Sequence, residues 1–236
     1  MDFFQKLPSA RLVGDKHDFL IEYCRNKRVL HLGCVDAGVL EEKWAKGILL
    51  HQRLAAVTSE LWGIDIDKAG IQFLESKGIA HLLAADVTQE DQIQPLKDQT
   101  FDVIVAGEIV EHLLNPGLFL EAIKRLMRPG QTELIVTVPN AFGIDALVAL
   151  LRNVEFVHPD HNYWFSYYTI TNLMKKCGYT IRDGLAYSYQ LVPFFYRPPQ
   201  TGLLRYILSL IKRSLVRSLY RRSPFWGDGI IIIAVR

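Results

Sequence analysis

Residues 27–38 read KRVLHLGCVDAG, a short apolar run that leads directly into a turn with two glycines. The apolar run predicts a buried strand at Arg28–Leu32, and the glycines that follow it are Gly33 and Gly38. Glycine adopts backbone conformations that other residues avoid, and its missing side chain lets a ligand approach the backbone closely. The pattern therefore predicts a strand that ends in a tight, ligand-accessible turn.

Two further strands are predicted to end in acids. LWGIDI, residues 61–66, carries Asp65 near its carboxyl end, and the run Ile79–Ala85 leads into Asp86. A carboxylate has enough acceptor capacity to take both hydroxyls of a ribose. A strand with a glycine turn, followed by two strands that end in acids, therefore indicates a cofactor that carries an adenosine.

The rest of the chain alternates helices and strands. Further strands are predicted at Phe101–Ala106, Glu133–Val138, Tyr179–Ser188 and Gly229–Arg236, and helices at Asp15–Arg25, Lys68–Lys77, Pro116–Met127 and Tyr168–Cys177. Residues 39–59 have helical spacing with an extra turn at their start. This alternation favours an α/β fold with a doubly wound parallel sheet and right-handed crossovers. With an antiparallel last strand, the prediction is one domain over residues 1–236, built on a seven-stranded mixed sheet.

The composition of the chain indicates the cellular compartment in which the protein is expected. The 236 residues are 50% hydrophobic with a net charge of +2, and no apolar run reaches bilayer length. The first residues lack the basic start and apolar core of a secretory signal. The cysteines, Cys24, Cys34 and Cys177, are widely spaced and form no metal pattern, which indicates a reducing compartment. We expect a cytoplasmic protein.

Four stretches together resemble the class I S-adenosylmethionine-dependent methyltransferases, in particular the small-molecule members. They are VLHLGC at 29–34, GIDID at 63–67, AADV at 84–87, and the long run FDVIVAGEIVEHLLNPGLFLEAIKRLMRPGQTELIVTVPN at 101–140. The resemblance implies a Rossmann-like fold, S-adenosylmethionine as cofactor, and a small-molecule or carrier-linked acceptor, with oxygen as the favoured accepting atom. It implies these cofactor-binding residues: His31, Gly33, Cys34, Asp65, Ile66, Asp86, Val87, Gly107 and Glu108.

The first of these stretches departs from the family pattern. His31 stands where the family usually has Asp or Glu, and Val35 stands where a second glycine is common. The departures motivate one alternative, a non-catalytic S-adenosylmethionine-binding module of degenerate methyltransferase fold. A second rival, an NAD-type oxidoreductase on a related fold, calls for an intact GxGxxG, which this chain lacks.

The acids also have simpler interpretations. Asp65 or Asp67 could cap the helix that follows, and Asp67 fits that position better, which leaves Asp65 for the ribose. Asp86 could likewise cap a helix. Glu108 could line the cleft or serve as a first-turn acid that the helix dipole favours.

Histidines supply the candidate catalytic groups. His112 lies four residues after Glu108, so a helix would place both on one face, where His112 is either a general base or a buried, hydrogen-bonded histidine. His161, with His158 and Tyr163, would meet an acceptor if residues 140–165 form a lid or substrate wall. No metal is expected, because the spacing of His158 and His161 comes with no evident third ligand.

Residues 189–228 form a basic, apolar insertion before the last strand. Its basic residues between positions 203 and 222 are Arg205, Lys212, Arg213, Arg217, Arg221 and Arg222. One interpretation is a cap with an apolar core face and solvated arginines. Others are peripheral membrane contact through residues 203–222 and an oligomer contact such as a homodimer. Nucleic acid is not expected, because no aromatic–basic groove pattern accompanies the charges.

Overall fold

The structure of the protein is a computed structural model, which describes residues 3–189, 214 and 216–236. Within these residues it forms one mixed sheet of eight strands. The strands are β1 Leu12–Val13, β2 Arg28–Leu32, β3 Glu60–Asp65, β4 Leu82–Ala84, β5 Val103–Gly107, β6 Glu133–Pro139, β7 Thr180–Tyr187 and β8 Gly229–Val235. Their order across the sheet is β1-β7-β8-β6-β5-β2-β3-β4, and β8 runs antiparallel to both of its neighbours.

Helices cover both faces of this sheet. They are α1 Lys16–Cys24, α2 Leu40–Ala45, α3 Leu50–Ala55, α4 Lys68–Ser76, α5 Pro116–Ile123, α6 Ile144–Leu150 and α7 Tyr167–Lys176. Short 3-10 turns lie at Gln94–Leu96, Val110–His112, Lys124–Leu126 and Pro224–Trp226.

Alternate residues of the central strands enter two separate cores. Leu30 of β2 packs with α5 and α7 on one face, whereas Val29 packs with α1 and α3 on the other. Burial of each such side chain contributes roughly 1.5–3 kcal/mol. A strand buried on both faces explains the nearly continuous apolar runs of the sequence.

The position of β2 fixes where a ligand can bind. The chain moves from β2 outward through β3 to β4 and then returns to form β5 on the other side of β2. In open α/β sheets, ligands bind beyond the carboxyl ends of the strands at such a reversal. The loops after β2 and β5 meet there, and the ends of β3 and β4 lie alongside.

Several predicted boundaries are confirmed. The first predicted strand and β2 coincide at Arg28–Leu32. Asp67 caps α4 as expected, and Gly78 follows that helix with φ +84°. The last strand is antiparallel, and the doubly wound mixed α/β sheet is the predicted fold class.

Other predictions were wrong in detail. The sheet has eight strands rather than seven, because β1 pairs with β7 through two residues. Residues 39–59 form two helices, α2 and α3, separated around Gly47, whose φ is +67°.

Part of the basic insertion lies outside the described residues, including Arg205, Lys212 and Arg213. Residues 216–222 are helical, with Val216 and Tyr220 buried and Arg217, Arg221 and Arg222 exposed. The interpretation of the insertion as a cap stays a prediction. Among the helices that the structure describes, none combines the length and the apolar character needed to cross a bilayer.

Candidate active site

Asp65 ties the end of β3 to the loop after β2. Its Oδ2 accepts a hydrogen bond from the Val35 amide at 2.8 Å, and its Oδ1 accepts one from the Asp67 amide at 3.0 Å. Asp67 is the helix cap, because its Oδ1 accepts from Ala69 N at 3.0 Å and Gly70 N at 3.1 Å. The capping role that the sequence left open for Asp65 therefore belongs to Asp67.

Asp65 retains capacity for a ligand. Each of its oxygens accepts one of these hydrogen bonds, and a carboxylate offers about four acceptor positions. Burial raises the pKa of Asp65, while the amides of Asp67 and Val35 act in the opposite direction. Next to it, the Ile66 side chain is 76% exposed, although it is large and apolar. A half-buried carboxylate beside an exposed apolar surface fits a ribose with its adenine.

Asp86 forms a turn of its own after β4. Its Oδ1 accepts from the Thr88 amide at 2.9 Å and from the Thr88 hydroxyl at 2.8 Å. The Asp86 amide donates to Gln92 Oε1 at 2.9 Å. This turn takes the place of the helix cap that the sequence left open. Val87 is buried, so the part of this residue available to an adenine edge is its backbone.

The loop after β2 passes close to the loop after β5. Gly33 has φ +65°, and a Cβ added there would lie 2.9 Å from Ile109 Cδ1. The amides of Gly33 and Cys34 donate to Ile64 O at 2.8 Å and 3.3 Å. The Cys34 side chain is buried, and burial raises the pKa of its thiol. These residues therefore shape the loop, with Cys34 anchoring it inward.

His31 faces another histidine inside the protein. Its Nδ1 lies 3.2 Å from Nδ1 of His51, so one ring donates and the other accepts. Both side chains are buried, and burial lowers the pKa of His31 to about 3 and that of His51 in the same direction. The predicted contact of His31 with the cofactor stays a prediction. His51 was missed, because the sequence gives no sign of this packing.

Glu108 occupies a strained position just after Gly107, the last residue of β5. Its φ is +54°, so the expectation that it shares a helix face with His112 is wrong. Its Oε1 accepts from the hydroxyls of Thr137 at 3.0 Å and Tyr187 at 3.1 Å. The left-handed backbone turns the Glu108 side chain towards the edge of the sheet, where residues of β6 and β7 hold it.

Glu111 is a buried acid that the sequence analysis did not single out. It has 0% exposure, and neither carboxylate oxygen has a hydrogen-bond partner among the described residues. Burial raises its pKa, and the neighbouring charge of Glu108 adds to the effect. The sequence signal that could have pointed to Glu111 is the pair Glu111–His112 within the apolar residues that follow β5.

His112, the residue after Glu111, lies in a cluster of three histidines. The ring centroid of His112 lies 4.5 Å from that of His161 and 5.7 Å from that of His158, and the last two are 5.3 Å apart. One ring nitrogen of each lies within 4.8 Å of those of the other two. The expectation that His158 and His161 lack a third possible ligand is therefore wrong. Burial lowers the pKa of His161, and the other two histidines act in the same direction.

The segment that carries His158 and His161 is fixed to the 3-10 turn. Asn162 N and Tyr163 N donate to Glu111 O at 2.8 Å and 3.1 Å. Asn162 Nδ2 donates to His112 O at 2.7 Å, and Tyr163 OH donates to Leu114 O at 3.1 Å. Sequence spacing could not reveal this cluster, because His112 is 46 residues before His158 along the chain.

The reversal of strand order and the carboxylate at the end of β3 define a Rossmann-like protein that holds an adenosine-bearing cofactor. Residues 8–183 match the family described as "Methyltransferase domain". The chain belongs to this family of methyltransferases, which use S-adenosylmethionine as cofactor.

Curated relatives agree with this assignment. The "Ubiquinone biosynthesis O-methyltransferase" of Aeromonas salmonicida (strain A449) is 30% identical over 171 residues, covering 66% of this chain and 64% of that protein. The protein of the same name from Pseudomonas aeruginosa (strain LESB58) is 31% identical over 115 residues, covering 48% and 44%. The chain thus matches less than two thirds of the length of either relative.

Solved structures share the fold. A SAM-dependent methyltransferase from Archaeoglobus fulgidus superposes with a TM-score of 0.56 at 19% identity, covering 94% of this chain and 91% of that one. Magnesium protoporphyrin IX methyltransferase from Synechocystis PCC 6803, solved with bound SAH, gives a TM-score of 0.54 at 13% identity, covering 94% and 82%. At these identities the likeness concerns the fold alone.

Proposed function

We propose that this protein transfers a methyl group from S-adenosylmethionine to an oxygen atom of a small-molecule or carrier-linked acceptor. The observation that carries the proposal is the position of Asp65. Its carboxylate fixes the loop after β2 and keeps an acceptor position on each oxygen beside the exposed Ile66. In this proposal, Asp65 holds the ribose and Ile66 covers the adenine.

The remaining cofactor contacts extend along the same edge. Asp86 and the Val87 backbone are proposed to meet the far side of the adenine. At the methionine end, the backbone around Gly33 and the Gly107–Glu108 turn are proposed to line the cleft, with His31 behind the loop. When bound, S-adenosylmethionine supplies a methyl carbon on a sulfonium, which makes that carbon open to in-line attack.

The acceptor is proposed to bind under residues 140–165, against the histidine cluster. An oxygen acceptor must lose a proton as it is methylated, and a neutral imidazole can take one. His161 and His112 are the candidates for that role. Support for oxygen as the attacking atom also comes from the two relatives, both of which are O-methyltransferases by name.

One observation favours a second candidate, a module that binds the cofactor without catalysis. His31 stands where the family usually has an acid for the methionine amino group, and its Nδ1 pairs with His51. If the amino group is held too loosely, the methyl carbon is poorly aligned, and alignment is most of what this chemistry needs from a protein.

Calorimetry with S-adenosylmethionine tests the cofactor site. Asp65→Asn removes the charge and one acceptor oxygen, and we expect the Kd to rise at least about tenfold, or ~1.4 kcal/mol. Asp67→Asn is the matched control, because asparagine caps helices nearly as well as aspartate. Equal Kd values for both variants and the native chain would overturn the proposed site.

A panel of acceptors tests the reaction. The native chain, with radiolabelled S-adenosylmethionine, is given phenols, carboxylic acids and amines of similar size. We expect label in a phenol or another hydroxyl compound and not in the matched amine. Tight cofactor binding with no labelled product across the whole panel would favour the non-catalytic module.

A further inference from the structure

We propose that His112, His158 and His161 bind one divalent transition-metal ion, which keeps an open coordination position for the acceptor. Binding of the ion does not depend on the methyl-transfer reaction. The proposed contact between the ion and the acceptor rests on the proposed function. With the ion bound, His112 and His161 are its ligands, and the ion replaces them in the role of bases.

The distances are close to those of a metal centre. A tetrahedral zinc site with Zn–N bonds of about 2.0–2.1 Å places its nitrogens roughly 3.4 Å apart. Here one ring nitrogen from each histidine lies within 4.8 Å of the other two. Rotating the imidazole rings so that their nitrogens move by about an ångström would bring these distances to those of a zinc site. His158, whose side chain is 57% exposed, has the most room to move.

The backbone that carries the histidines is already fixed. Asn162 donates both its amide and its side chain to the 3-10 turn, through Glu111 O and His112 O. The His161 amide donates to His158 O at 3.1 Å, which closes a turn, and the centroids of the two rings lie 5.3 Å apart. A site whose ligands are held in this way loses little conformational freedom when the ion binds.

An acid is placed to orient one of the ligands. Metal-bound histidines usually donate their second ring N–H to a carboxylate or carbonyl, which fixes the tautomer. Asp160 Oδ2 lies 3.9 Å from His158 Nδ1, and the Asp160 amide donates a hydrogen bond to the same nitrogen at 3.3 Å. When Nε2 binds the ion, the ring proton moves to Nδ1, which gives up the Asp160 amide and donates to the Asp160 carboxylate instead.

Acidic groups near the cluster favour a cation. Glu111 directly precedes His112, is fully buried, and has both oxygens without a hydrogen-bond partner among the described residues. Burial of an unpaired carboxyl group is costly. The Glu111 carboxylate interacts with that of Glu108, and Glu108 and Asp160, whose charges act on His161, would attract an ion bound at the histidines.

The ligand set indicates the kind of metal. Three imidazoles suit zinc, cobalt, nickel, copper or iron, and three protein ligands leave a position open for substrate. A hydroxyl bound there has a lowered pKa and releases its proton to solvent. The oxygen then bonds to the methyl carbon as the carbon–sulfur bond breaks, and both electrons of that bond stay on sulfur.

Cobalt titration tests the site directly. The full chain is stripped with a chelator and titrated with Co²⁺, and we expect one equivalent to bind with visible absorption bands, which Zn²⁺ then displaces. His158→Ala should weaken Co²⁺ binding at least tenfold, and His158→Ala/His161→Ala should abolish it. His81→Ala is the control, because this exposed histidine stacks on Trp62 instead.

Because His158 is exposed, its replacement should leave the fold intact, which a thermal melt verifies. No specific Co²⁺ binding by the native chain would overturn the metal site, as would equal affinities in the native chain and the double variant. Neither result touches the cofactor site, whose Kd for S-adenosylmethionine is measured separately. If stripped protein methylates a hydroxyl acceptor as fast as metal-loaded protein, the role of the ion toward the acceptor is overturned.

Discussion

The Nζ atom of Lys16 lies 3.1 Å from Oε2 of Glu108, which joins the first turn of α1 to the end of β5. Lys16 is buried, and the same ammonium lies 5.4 Å from the centre of the Tyr187 ring. Since Tyr187 also donates to Glu108, one lysine and one tyrosine hold the acid that directly follows β5. The position of this acid therefore depends on residues from distant parts of the chain.

Replacement of Lys16 by methionine should lower the free energy of unfolding by roughly 2 kcal/mol. The loss of one partner from a buried ion pair leaves the other charge uncompensated, although the partial exposure of Glu108 reduces the cost. Urea unfolding measures it. The control is Lys46→Met, which breaks the exposed pair with Glu42 and should change stability by less than about 0.5 kcal/mol.

The buried pair His31–His51 should make the protein sensitive to acid. Burial, and then the charge of His17, lower the pKa of His31 from 6.5 to about 3. Between these values the unfolded chain binds a proton that the folded chain does not, so stability falls as the pH drops from about 6.5 towards 3. From pH 7 to pH 5 the loss from His31 is on the order of 2 kcal/mol.

Urea unfolding at the two pH values measures this loss, and His31→Leu/His51→Leu is the variant to compare. Replacing both rings removes the proton-binding difference without leaving either one unpaired. The variant should show a smaller drop between pH 7 and pH 5 than the native chain. An unchanged drop would show that other groups cause the acid sensitivity.

Substitution of Gly33 by alanine should lower both stability and cofactor affinity. The positive φ is unfavourable for alanine, and the new Cβ would lie 2.9 Å from Ile109 Cδ1, so we expect a loss of about 2 kcal/mol. Urea unfolding and calorimetry measure the two effects. Gly14→Ala is the matched control, because a Cβ there has no neighbour within 4 Å.

Ile66→Ser should separate binding from stability. This side chain is exposed without cofactor, so its loss should change the free energy of unfolding by less than about 0.5 kcal/mol. Loss of an apolar contact with the adenine should raise the Kd for S-adenosylmethionine about fivefold, or ~1 kcal/mol. Ile48→Ser, at another exposed isoleucine, should leave both quantities unchanged.

The sequence was sufficient for the parts of the fold that local patterns control. The buried run that became β2 and the cap formed by Asp67 depend on neighbours within a few residues. The strand β1 was not predicted, because a strand of two residues is too short to show a hydrophobic period. It forms because it pairs with β7 in the folded protein.

The site shows the same division. Asp65 and Asp86 could be placed from strand ends alone, and the structure puts both at the predicted edge. The positive φ of Glu108 could not, because it depends on contacts with Thr137, Tyr187 and Lys16. The histidine cluster likewise required the tertiary contact between residues 158–163 and the 3-10 turn.

The place of β8 in the sheet has a consequence for biosynthesis. This strand is buried along its whole length between β6 and β7, and pairs with both. Until residues 229–235 have left the ribosome, β6 has an open edge and β7 has nowhere to dock, so half of the sheet must wait. Nascent chains that stop short of residue 229 should therefore expose unpaired strand edges and attract chaperones or proteases.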